Sequence, residues 1–428
     1  MSLLRSRSAT VAALALLVAP ARAQTTRLET SDVYRRVANQ VVEVDVVETG
    51  SGAQSQFGSG FFVSAGGEIM TNYHVIEPII NKPKEYRAEW VEASGTKHPL
   101  RLLAVDVVHD LAILASDKPA SGWFTLRTTP LAQGTRLYAL GHPRGLALSI
   151  VEGTYNGLMQ YTLYPRIHLT GAINHGMSGG PAITGEGSVV GVNVATAGNS
   201  VGFLVPVDRA VALLARVSAP AFAPPKDLLG DIGAQLAAYQ AQYFPSLLAD
   251  TTRLVTLGAY TAPTMPAPYF KCWGDVTTGE DERRYDLTTH SCATDDEIYL
   301  SGDQSTGFAV LKYWLYSSKV LAPVQFYSLL EARYKTMASE MDGAESFVTN
   351  FKCKTVNVRR SAAEKNDAAM RVATCLRKYK KMPGLYDMVT HIAVFGRRDT
   401  ALIATLTLSG VSYENGERVT ARLLDRIQ

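Results

Sequence analysis

No run of roughly 18 apolar residues occurs anywhere in the 428-residue chain, and a membrane-spanning helix is thereby excluded. Charge is sparse: 19% of residues, with 42 basic against 39 acidic for a net of +3. That balance offers no chain-wide attraction for nucleic acid and excludes a strongly basic partner-binding protein. Compositional bias is missing too, since 34 Gly and 19 Pro are ordinary for this length and 46% of residues are hydrophobic. Disorder and low complexity are ruled out, and at roughly 150 residues per domain the chain should form two or three globular units. Cysteine is scarce, with none before Cys272.

The first residues read as an address. Arg5 and Arg7 precede a ten-residue stretch, 9–18, rich in Ala, Val and Leu, and Ala21-Arg22-Ala23 forms a small-residue cleavage site. Residues 1–23 are expected to be a signal peptide, giving a mature chain in the periplasm or outside the cell. No cysteine near that site is available for a lipid anchor, so the mature chain is expected to be soluble and not an integral membrane protein.

Residues 30–217 alternate short Val/Ile-rich runs (41–47, 60–63, 111–114, 136–140, 166–169, 189–194) with glycine-containing turns. This spacing predicts a mainly β domain, an antiparallel barrel or sandwich. Residues 218–226, rich in Ala and Pro, read as a linker, 227–268 as a helical connector, and 269–428 as an α+β region.

The last region carries signs of a tandem repeat, 269–340 and 350–428. Phe270-Lys271-Cys272 recurs as Phe351-Lys352-Cys353, Cys292 is matched by Cys375, and at a later fixed offset Ile298, Gly302 and Leu329-Leu330 are matched by Ile392, Gly396 and Leu423-Leu424. Each copy reads as a Cys-bearing hairpin, two more strands and an amphipathic helix. Four cysteines allow three connectivities; duplication favours Cys272 with Cys292 and Cys353 with Cys375, each closing its own unit. Separations of 20 and 22 residues (292 − 272 and 375 − 353) fit no zinc-ligand spacing. The C-terminal half is expected to fold apart from the cysteine-free first domain.

Three segments of the first domain supply a base, an acid and a nucleophile in order. They are Gly58-Ser59-Gly60-Phe61 followed by Thr71-Asn72-Tyr73-His74-Val75, then Asp106-Val107-Val108-His109-Asp110-Leu111-Ala112-Ile113-Leu114, then Gly176-Met177-Ser178-Gly179-Gly180-Pro181. A serine hydroxyl is a poor nucleophile until a neutral histidine takes its proton, and a carboxylate on the other ring nitrogen fixes the tautomer. Glycines beside the serine let backbone N–H groups converge on the developing oxyanion, with Gly176 and Ser178 as the donors. No cofactor or metal is needed. Asp106 competes with Asp110 for the role of acid, and His109, His142 and His175 read as structural or solvated groups, His175 being the one placed to touch substrate.

With Leu140-Gly141-His142-Pro143-Arg144-Gly145 and Gly202-Phe203-Leu204-Val205-Pro206 added, these motifs resemble the chymotrypsin-like proteases and, within them, the HtrA-type serine proteases. The resemblance covers about residues 30–217. It implies a double β-barrel with the site in the cleft between barrels, a triad of His74, Asp110 and Ser178, and polypeptide substrates cleaved through an acyl-enzyme. Two departures stand out. Met177 replaces the Asn or Asp usual before the nucleophile, so no carboxylate waits there for a freed N-terminus. The C-terminal half lacks a Gly-Leu-Gly carboxylate-binding loop and does not resemble a PDZ domain.

Specificity by the same resemblance falls to Ala172 and Ile173 at the pocket base and Val192, Asn193 and Val194 on its far wall; none is charged, which implies a small or medium apolar residue before the scissile bond. Charge is segregated in the C-terminal region: 275–303 holds nine acidic and two basic residues, 352–381 ten basic and two acidic. Arg377, Lys378, Lys380 and Lys381 therefore form a candidate site for an anionic partner. The reading that emerges is a secreted or periplasmic serine endopeptidase with a C-terminal accessory module; the alternative is a catalytically inactive protease-fold scaffold of the cell envelope.

Overall fold

Six antiparallel strands close the first barrel: β1 (Val41–Glu48), β2 (Gln54–Phe62), β3 (Glu68–Thr71), β4 (Tyr86–Val91), β5 (Lys97–Asp106) and β6 (Leu111–Ser116), in the order β1-β2-β3-β6-β5-β4. The second barrel repeats the pattern with β7 (Arg136–Gly141), β8 (Ser149–Leu158), β9 (Ile167–Thr170), β10 (Pro181–Ile183), β11 (Val189–Thr196) and β12 (Val201–Pro206). The molecule is seen in a computed structural model that describes residues 29–428 except 127, 129–130, 144–145, 197, 199, 250–252, 266–267, 278–283, 337–340 and 360–368. The signal-peptide reading of 1–23, and Arg144 and Gly145, lie outside the described residues.

Closure leaves neither barrel with a free edge, and the two are welded by one apolar core. Phe61, Met70, Leu111 and Ile113 of the first barrel pack with Tyr138, Leu140, Ile183, Val192 and Val205 of the second. Close packing of this kind resists relative sliding, so it sets the distance between groups carried by different barrels. Helix α1 (Thr30–Val37) precedes the barrels, α2 (Tyr73–Asn81) follows β3, and α3 (Val207–Ser218) covers the barrel junction.

Helix α4 (Leu228–Leu248) follows and returns to the first barrel, where Gln235 Nε2 donates to Val105 O at 3.0 Å and Gln235 Oε1 accepts from Val107 N at 3.0 Å. The connector is not helical throughout, as the sequence had suggested: β13 (Leu254–Leu257) and β14 (Tyr260–Pro263) form a hairpin whose two-residue turn places Gly258 at φ 58°. A left-handed turn residue favours that reversal, and glycine adopts it without strain.

Beyond it lie β15 (Phe270–Thr277), β16 (Asp286–Thr294), β17 (Ile298–Ser301), β18 (Gln304–Thr306), β19 (Ala309–Ser317), α5 (Pro323–Thr336), β20 (Lys352–Arg359), β21 (Ala369–Lys378), β22 (Leu385–Phe395), β23 (Thr400–Ser412) and α6 (Tyr413–Arg426). Seven strands form one antiparallel sheet ordered β15-β16-β19-β23-β22-β21-β20. The two Cys hairpins occupy its opposite edges, and the strands before α5 and α6 meet in its middle. Cys272 is bonded to Cys292 and Cys353 to Cys375, each pair directly opposed across its hairpin.

The two halves are not equal copies. In the second, β22 is a full 11-residue strand, whereas its counterpart is the short β17, which leaves the main sheet to pair with β18 so that β16 meets β19 directly. The freed hairpin turns toward the barrels. Ile298 and Leu300, together with Phe347, Val348, Met382 and Leu385, share one buried cluster with Val75, Ile76, Ile80, Val107 and Val108 of the first barrel. The expectation of a C-terminal half folded apart from the first domain is therefore corrected: apolar surface on both sides is buried by their contact.

Candidate active site

Asn72 stands at the N-cap position of helix α2, whose second residue is His74. Asp110 lies on the turn between β5 and β6 in a left-handed conformation, φ 57°, which Asp tolerates better than most residues. The turn aims both carboxylate oxygens at one residue: Oδ2 is 2.5 Å from His74 Nδ1, and Oδ1 accepts the His74 backbone N–H at 2.8 Å. Asn72 Nδ2 donates to the Asp110 carbonyl at 2.7 Å and fixes the turn. Asp106 is engaged elsewhere, its carboxylate meeting the Nδ1 and backbone N–H of His109 at 2.8 and 3.1 Å.

Burial works against a protonated His74, but the Asp110 charge and hydrogen bond outweigh it and hold the imidazole above its ordinary value of 6.5. The side chain is still 26% exposed, enough for a substrate to reach it. His142 behaves oppositely: burial alone pushes it down to about 4, so it is neutral at physiological pH.

Ser178 sits on the loop before β10, in the second barrel, so the barrel junction determines how nucleophile and base meet. Its Oγ donates to Val194 O at 3.4 Å, and among the described hydrogen bonds none joins it to His74. Gly176, at φ 94°, and Ser178 present backbone N–H groups that no described hydrogen bond engages. Met177 between them is fully buried in the second-barrel core, which explains why an apolar residue stands there.

The loop is held from behind by Ser59 and its flanking glycines, a motif to which the sequence alone assigns no role of its own. Ser59 Oγ donates to Gly176 O at 2.7 Å and accepts from His142 N at 2.9 Å, while Ser59 N donates to Ser178 O at 2.8 Å. Gly179, at φ 85°, would drive a Cβ into Ser59 O and the Thr71 hydroxyl. A Cβ on Gly141 would come within 2.8 Å of Met177 Cα. The Gly58-Ser59-Gly60 triplet was the available signal, a buried hydroxyl flanked by residues that permit close approach.

The proposed pocket residues divide. Ala172 and His175 are exposed on the segment that leads into Ser178, with the His175 ring 5.1 Å from that of Phe57. Val194 contributes the carbonyl facing Ser178. Ile173 is buried in the second-barrel core and Val192 in the core between barrels. Asn193 is wholly buried, its Nδ2 donating to Leu140 O at 2.9 Å and Met177 O at 3.3 Å. Ile173, Val192 and Asn193 are thus turned inward; Asn193 braces the serine loop through Met177 O and the Gly179 N–H, and Ile173 packs in the same core as Met177.

The anion-patch reading is also corrected in part. Arg377 is 6% exposed and ion-paired to buried Asp387 at 2.8 Å, which removes it from the surface. Lys378, Lys380 and Lys381 all stay exposed; Lys380 Nζ donates to Glu345 O, and Lys381 lines the cleft between α2 and the C-terminal region.

Residues 58–192 match the family described as a trypsin-like peptidase domain. Similar curated proteins include Protease Do-like 1, chloroplastic, of Arabidopsis thaliana, 30% identical over 220 residues that cover 44% of this chain and 47% of that protein. Serine protease HTRA2, mitochondrial, of Bos taurus is 30% identical over 194 residues, covering 42% of this chain and 41% of that protein. This chain spans less than half the length of these relatives. A solved serine endoprotease from Yersinia pestis is 25% identical, with a TM-score of 0.37, covering 43% of this chain and 65% of that one. The double-barrel segment matches the trypsin-like peptidase domain family and is similar to HtrA and Do-like proteases. The family match ends at residue 192, and the C-terminal half lies outside it.

Proposed function

We propose that the chain is a serine endopeptidase that cleaves polypeptides through an acyl-enzyme, with His74, Asp110 and Ser178 as its triad and a C-terminal module docked beside the site. The observation that carries this reading is the paired contact of Asp110 with the ring and backbone of His74, within a domain matched to trypsin-like peptidases. In the reaction, the Ser178 hydroxyl leaves the Val194 carbonyl and turns to neutral His74, which takes its proton as Oγ attacks the scissile carbonyl. The Gly176 and Ser178 N–H groups receive the oxyanion, and His74 then protonates the leaving amine. Water enters by the same route in reverse and frees Ser178. Asp110 stabilises the imidazolium throughout.

The leader-like N-terminus and two disulfides support a periplasmic or secreted location, where thiols stay oxidised. Exposed, uncharged Ala172, six residues before Ser178 (178 − 172), supports a small or medium apolar residue before the cleaved bond. Exposed Lys378 with Lys380 and Lys381 remains the candidate contact for an anionic partner.

The scaffold alternative draws on one observation, the Ser178 hydroxyl turned to Val194 instead of His74. A fluorophosphonate probe separates the two. Labelling that disappears in Ser178→Ala supports the endopeptidase, and an unreactive wild-type chain supports the scaffold.

A further inference from the structure

The hairpin that left the C-terminal sheet reaches both barrels within five residues. On the second barrel, the loop between β8 and β9 is gripped by Asp296, whose Oδ2 accepts Leu163 N at 2.8 Å, and by the Glu297 carbonyl, which accepts the Tyr164 hydroxyl at 2.8 Å. Arg166 lies 3.7 Å from Asp296 and stacks over the Tyr164 ring. On the first barrel, Leu300 O accepts from the Tyr73 hydroxyl at 3.0 Å and from Asn81 Nδ2 at 3.3 Å, at opposite ends of α2. Between these anchors, the Tyr299 ring stands edge-on to His74, centroids 6.1 Å apart at 77°, and to Tyr73 at 6.4 Å.

Tyr299 packs at the edge of the apolar cluster shared by the barrel and the C-terminal region. It is half-buried, and its hydroxyl has no described hydrogen-bond partner, in contrast to Tyr73, Tyr164 and Tyr239, whose hydroxyls all reach backbone carbonyls. Burial, with Glu77 and Asp110 nearby, pushes that hydroxyl up to about 12, so it stays neutral beside the imidazole. Its ring stands edge-on against one side of the His74 imidazole, and the flanking residues tie the barrel holding His74 to the barrel holding Ser178.

We propose that residues 296–300 form a strap across the two barrels and that Tyr299, carried on it, is a positioning residue for the His74 imidazole. The inference rests on the endopeptidase reading of the same site, and it makes the C-terminal region part of the active site's construction. A group held in a near-attack geometry loses rate steeply when it moves by about an ångström, commonly by 10²-fold.

The test uses the full mature chain and two readouts. One is the second-order rate of Ser178 modification by a small fluorophosphonate across pH; the other is solvent exchange of the His74 Nδ1 proton, followed by NMR on histidine-labelled protein. Tyr299→Ala is expected to slow modification on the order of 10- to 100-fold, to move the pH midpoint, and to speed Nδ1–H exchange. Tyr299→Phe, which keeps the ring, is expected to recover most of the rate. If the alanine variant fails to fold, Tyr299→Leu fills the same space without an aromatic edge and is read identically. A folded variant with unchanged rate, midpoint and exchange overturns the proposal. A wild-type chain that ignores the probe defeats the endopeptidase reading instead, while the exchange comparison still decides whether Tyr299 restrains His74.

Discussion

Ser59 Oγ donates a 2.7 Å hydrogen bond to the Gly176 carbonyl, so a residue of the first barrel holds the shape of the second barrel's serine loop. The bond is buried, and its removal leaves both Gly176 O and His142 N without their partner. Ser59→Ala is expected to destabilise the chain by about 1–3 kcal/mol. Misaimed Gly176 and Ser178 N–H groups should also lower kcat on the order of 10²-fold, with KM little changed. Steady-state kinetics on a peptide library substrate with parallel denaturant melts checks both parts; unchanged kcat in the folded variant removes Ser59 from the argument.

His74 must be neutral to accept a proton, and Asp110 holds it above 6.5. Activity should therefore rise with pH through a midpoint higher than that of free histidine. The stability linked to this pair has the opposite sense: a raised folded value means stabilisation present below the unfolded value and lost as pH climbs through the folded one. Asp110→Asn should tolerate the left-handed backbone, since Asn shares that tolerance with Asp. It should cut kcat by about 10⁴-fold and lower the His74 midpoint. A pH titration of the variant that leaves the midpoint in place would reassign the acid.

The barrels and the His74–Asp110 pair were legible because their determinants are local and repeated: β-branched runs closed by glycines, and five motifs in order. Asp110 could be chosen over Asp106 from the Leu-Ala-Ile-Leu that follows it. What escaped was burial. Val192, Asn193 and Val194 are all buried on β11, and nothing in that run showed that Val194 would offer its backbone carbonyl, and not its side chain, to Ser178. Arg377 sits in a basic run, yet the fold turns it inward onto Asp387. Tyr299 was invisible because its neighbour, His74, lies 225 residues away in the chain (299 − 74), and both copies read alike as a hairpin, two strands and a helix.

Buried Asp387 makes a sharp test of that inward turn. Its oxygens accept from Arg377 Nε at 2.8 Å, the Tyr379 hydroxyl at 2.9 Å and Gly410 N at 2.9 Å, while the Arg377 guanidinium also donates to Asp342 O at 2.8 Å. Arg377→Met leaves a buried carboxylate uncompensated and should destabilise the chain by about 3–5 kcal/mol. Lys378→Ala, at an exposed position, should leave stability within roughly 0.5 kcal/mol. Thermal melts of the two variants side by side give the answer; equal effects would return Arg377 to the surface patch.

The last prediction concerns how the chain comes apart. Two domains joined by a linker would melt in two steps, and reduction of the cysteines would loosen only the second. Here Ile298, Leu300, Phe347 and Met382 are buried against Val75, Ile76 and Val108, so opening either side exposes apolar surface on the other. Calorimetry should show one transition, with calorimetric and van't Hoff enthalpies in agreement. Each disulfide closes a loop of roughly 20 residues, worth about 3 kcal/mol in the chain-entropy model. Non-reducing peptide mapping should recover Cys272 with Cys292 and Cys353 with Cys375, and reduction should move the whole transition down. Cys292 lies four residues before Asp296 (296 − 292), so the same reduction should slow probe reaction at Ser178 even below the transition. Two separate transitions, with only one of them sensitive to reductant, would show that the shared core is too weak to couple the halves.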